Sequence, residues 1–156
     1  MRNVFLRIEN WLLITPAILL IIELLFIGES VMDVHFHDTY LVMPGASSLI
    51  LILILLLIPY MCHLLLKTKG KRSILFIHVI STVVSIVAFF ICSKLIPTTP
   101  RRYYDFSNWE SFQQFGMLNN LVAMIALALI TIQLLFIVYA ITWLFINKQT
   151  NKKASK

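Results

Sequence analysis

"GASSLILILILLLIPYMCHLLL" occupies residues 45–66. From Leu49 to Ile58 every residue is Leu or Ile, and the whole stretch holds no Asp, Glu, Lys or Arg. A helix of about 20 such residues crosses the hydrocarbon core of a bilayer. The run does not alternate apolar with polar, so it reads as a helix rather than a half-buried strand. Inside lipid, only a helix or a closed barrel satisfies its own backbone polar groups.

Working outward, three further apolar runs qualify or nearly so, at about 11–27, 73–96 and 117–145. The last is longer than a bilayer requires, so it tilts or projects beyond the lipid. Of the 156 residues, 60% are hydrophobic. A soluble domain of that size leaves too much surface in water to hide them. Glycine marks the cuts: Gly28, Gly45, Gly70 and Gly116 each stand at a boundary between apolar and polar sequence, where helix ends and turns use glycine. Pro44 can open the second helix, and Pro16 and Pro59 should bend the runs that contain them. No small-x-small cleavage site follows the first run and Glu23 interrupts it, so it reads as a retained span, not a signal peptide.

The expected fold is therefore all-α, a polytopic membrane protein of four transmembrane helices. Residues 1–147 form the membrane domain. Residues 148–156, "KQTNKKASK", form a basic tail, expected to be disordered. Of the thirteen Lys and Arg residues, all but Lys94, Arg101 and Arg102 fall on the side of the two termini and the 67–72 turn. The positive-inside rule then places both termini in the cytoplasm, in a bacterial inner membrane. The net charge of +6 is a topology signal. It lacks the continuous basic face that would argue for nucleic acid. The expected surroundings are a lipid bilayer.

Polarity concentrates in "MDVHFHDTYLVMPG", residues 32–45. Asp33, His35, His37 and Asp38 make a hard oxygen-and-imidazole set of the kind that suits magnesium, manganese or zinc. Equally, they make a solvated loop whose acids pair with Arg101 and Arg102. Those two arginines run against the topology rule and call for anionic partners, carboxylate or phosphate. His63 and His78 flank the 67–72 turn at similar distances, so a helical hairpin sets them at similar depth. Two imidazoles there could ligate a haem iron. The plainer reading, which we favour, gives one a backbone carbonyl and the other the interface. Glu23 is an intramembrane ionisable group. It could carry protons, sit neutral against Thr or Asn of another helix, or reach water at the outer face. Cys62 and Cys92 should lie near opposite faces and not pair. No phosphate-binding loop, dinucleotide fingerprint or paired-cysteine motif is present.

Two of these stretches resemble a known family. "DVHFHDTYLV" (33–42) resembles the stretch that opens the tenth helix of subunit I of haem-copper oxidases. "PRRYYDF" (100–106) resembles the loop before that subunit's last helix. They occur in the family's order, and the charge distribution puts both outside, as in the family. The resemblance implies a stand-alone relative of helices nine to twelve. It implies that His37 and Asp38 correspond to ligands of a non-redox magnesium or manganese, and Arg101 and Arg102 to the pair that holds the haem propionates. The family's two haem-ligating histidines, however, correspond here to Gly45 and Ser47, and neither can ligate iron. The other metal ligands belong to helices this chain does not contain. The sequence thus points to a protein with no catalytic residues of its own and without haem, not an oxidase by itself. It is expected to act by interaction with respiratory oxidase subunits or as a homo-oligomer. Two alternatives stand beside this reading: a metal- or anion-binding module built on the outer loops, and a haem-binding or oxidase-associated electron-transfer subunit using His63 and His78.

Overall fold

The computed structural model describes residues 7–27, 31–36, 39–66, 71–96 and 109–154; at 26, 27, 31–36, 39–41, 109–115 and 147–154 the backbone alone is described. A 3-10 turn, Ile8–Asn10, leads into α1, Trp11–Ile22, which continues as a π-helical turn over Glu23–Ile27. A β-hairpin follows, β1 (Val31–Phe36) paired antiparallel with β2 (Thr39–Pro44). Then come α2 (Gly45–Leu66), α3 (Arg72–Leu95) and α4 (Trp109–Ala154).

Four helices are long and apolar enough to cross a membrane: Ile8–Leu25, Gly45–Leu66, Arg72–Leu95 and Gly116–Ile146. They run up and down, as the side chains that meet across them require. Asn10 at the start of α1 accepts a hydrogen bond from Tyr60 near the end of α2. Glu23, past the end of α1, meets Lys94 at the end of α3. Lys71, ahead of α3, donates its backbone N–H to the Tyr139 hydroxyl on α4. One end of the bundle thus carries Asn10, Leu66 and Lys71 (the terminal end), and the other carries the β-hairpin. The most extensive packing joins α3 to α4 and α1 to α2, while β1 lies against α4 and β2 against α2.

The core has two parts. Toward the hairpin end, Leu49, Ile52, Leu56, Ile86, Phe89, Val122 and Leu129 form a continuous apolar cluster. Toward the terminal end, Leu66, Phe136 and Ala140 form a smaller one. The outer surface is almost wholly apolar, with Leu25, Ile58, Ile77, Val84, Leu127 and Leu135 among many large exposed side chains. Soluble monomers seldom expose contiguous apolar patches of more than a few hundred Å²; lipid is the solvent in which this surface is at no disadvantage.

Two sequence expectations change. The fold is not purely helical. Residues 31–36 and 39–44 are rich in Val, Phe, Thr and Tyr, which favour strands, and a two-residue link lets them fold back on each other. Nor does helix stop at residue 147. The apolar run drives α4, and Lys, Gln and Ala beyond it are good helix formers, so the helix continues to Ala154. At 1.5 Å per residue, its 46 residues extend about 69 Å, against about 30 Å of hydrocarbon.

Candidate functional site

α2, α3 and α4 each place a polar side chain where the two core clusters meet. His63 and His78 are nearly fully buried, Thr82 is wholly so, and Gln133 is buried beside them. His63 Nε2 and His78 Nδ1 are 2.9 Å apart. His78 Nε2 lies 3.0 Å from Gln133 Oε1, and Gln133 Nε2 donates to Thr82 Oγ1 at 2.9 Å. The helical period explains the set. His78 and Thr82 are four residues apart on one face of α3, and Gln133 on α4 reaches both. Phe136, one turn further along α4, stacks on both imidazoles, 4.5 Å from the His63 ring at 20° and 3.8 Å from the His78 ring at 18°. The result is one connected chain of hydrogen bonds across three helices with an aromatic plate over its two rings.

This geometry bears on the haem expectation for His63 and His78. At metal–nitrogen distances of about 2.0–2.1 Å, two imidazoles on opposite sides of one ion stand about 4 Å apart. The 2.9 Å contact is instead a hydrogen bond between the rings. Among the described residues, no group of three or more His, Cys, Asp or Glu side chains gathers into a metal-binding cluster.

Glu23 is 1% exposed and accepts a hydrogen bond from Lys94 Nζ at 2.6 Å. It opens the π-helical turn, and such a turn often marks a functional position in a helix. The same ammonium sits 5.5 Å from the centroid of the Phe90 ring, within range of a cation–π attraction. Of the three settings considered for Glu23, none named a cationic partner; the ion pair with Lys94 is the arrangement found.

The outer candidates are only partly in view. His37, Asp38, Arg101 and Arg102 lie outside the described residues. Asp33 and His35 lie in β1, with backbone positions paired to Val42 and Tyr40. Gly45 opens α2 and is buried, with Ser48 Oγ donating to its carbonyl at 2.7 Å. Ser47 is exposed. Cys62 and Cys92 are free thiols.

Sequence reading brought out His63, His78 and Glu23 but missed Gln133, Thr82, Phe136 and Lys94. Gln133 had a signal, being the one amide between Asn120 and Asn147 in an apolar run, where a polar side chain calls for a partner on another helix. Phe136 had none, since a phenylalanine in such a run looks like any other.

Fold and site together define a polytopic membrane protein by helix length and composition, a four-helix bundle with a buried polar chain at one end and an ion pair at the other. No family model, curated protein or solved structure matches this chain.

Proposed function

We propose that this chain is a non-catalytic membrane protein, a stand-alone relative of helices nine to twelve of haem-copper oxidase subunit I. Both termini face the cytoplasm of a bacterial inner membrane, and it acts by binding a membrane partner, an oxidase subunit or a second copy of itself. The observation that carries the reading is what fills the iron-ligand positions. Gly45 is buried in the first turn of α2 and Ser47 faces out of the bundle, and neither offers a nitrogen or sulfur to iron. His63 and His78, which could have compensated, are hydrogen-bonded to each other.

The test is purification of the full chain in mild detergent, with an absorption spectrum, metal analysis and native mass spectrometry. The expected result is no Soret band and a complex larger than the 18.0 kDa chain. A stoichiometric Soret band, or a lone monomer under conditions that keep membrane complexes intact, overturns the reading.

A second reading has one observation in its favour. The sequence gathers Asp33, His35, His37 and Asp38 within six residues, hard oxygen and imidazole donors of the kind that bind magnesium or manganese. In this reading these residues, with Arg101 and Arg102, supply an outer site for magnesium, manganese or an anion. Replacing His37 and Asp38 together by Ala should then remove a stoichiometric divalent metal from the purified protein. Metal-free wild-type protein from a metal-replete preparation removes this reading.

A further inference from the structure

We propose that His63 and His78 together form a binding site for a single proton inside the bundle, closed by apolar packing toward the hairpin end.

The hydrogen bonds fix the direction of the chain. Gln133 Oε1 can only accept, so His78 Nε2 carries the proton of that contact. In a neutral His78, Nδ1 is then a lone pair, and the 2.9 Å contact requires that His63 Nε2 donate to it. A neutral His63 is left with its Nδ1 lone pair as the one basic position in the two rings. A proton from water adds there without breaking any bond in the chain. The imidazolium so formed can pass its Nε2 proton across to His78 Nδ1, so the charge is held by the pair. It goes no further, since the next group is an amide, which is not a base.

The capacity is one. A second proton would turn His78 Nδ1 into a donor facing the N–H of His63, two donors across 2.9 Å, with two like charges side by side. One feature favours the singly charged state: Phe136 presents its ring face to both imidazoles, and a cation over an aromatic face is stabilised. The 3-10 turn that packs against α2 carries Glu9. The other ionisable groups on the elements around the pair are few. α2 brings Tyr60, one turn before His63, and Cys62, beside it, and α4 brings Tyr139. α1 has no ionisable side chain, and α3 has none besides His78 between Arg72 and Cys92.

The site is closed on one side by packing. Ile86 lies one turn beyond Thr82 and Leu129 one turn before Gln133, each toward the hairpin end, and they belong to the apolar cluster with Leu56 and Phe89. Among the described residues, Cys92 packs against this cluster and the Glu23–Lys94 pair lies at the hairpin end. The pair therefore stores a proton and does not conduct it.

The experiment uses the full chain with 15N-labelled histidine, reconstituted in phosphatidylcholine vesicles and followed by magic-angle-spinning NMR across pH 8 to 4. At high pH both rings should show the Nε2–H tautomer, with a direct N–H···N coupling between His63 and His78. On acidification both should shift with one common midpoint and take up one proton between them. In Gln133→Leu the His78 ring should lose its tautomer preference while the helices stay folded, an effect that a merely space-filling glutamine would not produce. Vesicles holding the wild-type protein should keep an imposed pH gradient as long as protein-free vesicles. Two independent midpoints, no uptake down to pH 4, or a proton leak above the protein-free level overturns the proposal. These outcomes are separate from those of the detergent experiment, since a partner-binding protein can lack the proton site and a lone monomer can possess it.

Discussion

The two ends of this bundle solve one problem differently. Toward the terminal end, α2, α3 and α4 bury an imidazole pair, an amide and a hydroxyl whose demands close on one another. Toward the hairpin end, α1 and α3 bury a carboxylate against an ammonium that is still 27% exposed. Polar groups inside a membrane are costly and mark function by default, but the form of the cost differs. A hydrogen-bonded chain without net charge loses little on leaving water, and each interhelical bond in it is worth on the order of 0.6 kcal/mol, rarely above 2. An ion pair is balanced between large desolvation and large attraction, so it is sensitive to the loss of either partner. The terminal end therefore supplies geometry and a place for one proton. The hairpin end supplies an ion pair that ties the turn after α1 to the end of α3.

The comparison is broken most strongly at Lys94. Replacing it by Met leaves the Glu23 carboxylate buried without its ammonium and should cost about 3–5 kcal/mol of unfolding free energy, read by denaturant titration in bicelles. Adding Glu23→Gln to the same chain should restore most of that loss; a double variant no more stable than Lys94→Met alone would mean that the pair is not the source of the effect. Next in size is Gln133→Leu, which strands the His78 N–H and the Thr82 hydroxyl. Here about 1–3 kcal/mol is expected from unsatisfied buried groups, in the same titration. Smaller again is Phe136→Leu, which keeps bulk but removes the stacked ring, with an expected loss of about 0.5–1.5 kcal/mol and a changed imidazole 15N pattern. A loss at Phe136 as large as that at Lys94 would place the strain at the wrong end. Leu135→Ala sets the floor. That side chain is 66% exposed on the lipid side, and its replacement should stay within about 0.5 kcal/mol of wild type.

How far the sequence carried depended on the kind of signal. The spans were legible because the bilayer sets one length and one composition for all of them. The run 45–66 coincides with α2, and 73–96 differs from α3 by a residue at each end. The hairpin was legible only in part. Its residues alternate too weakly in polarity, and two histidines and two aspartates drew the reading toward ligands, while the two six-residue runs with a two-residue link were the better signal. For the candidate site, the buried histidines and Glu23 stood out as polar breaks in oil, but their partners did not. Lys94 read as a topology charge at a helix end, and Thr82 as one of several small polar residues on α3.

The sequence by itself determined that this chain makes four helices able to cross a membrane, because hydrocarbon thickness and backbone hydrogen bonding leave one solution for long apolar runs. Only the tertiary structure decided that His63 meets His78 at bonding distance, that Gln133 bonds both His78 and Thr82, and that Glu23 finds Lys94 from 71 residues away. Helical periodicity gives each residue a face, but which faces meet, and at what height, depends on how the helices pack and on the lengths of the segments that join them.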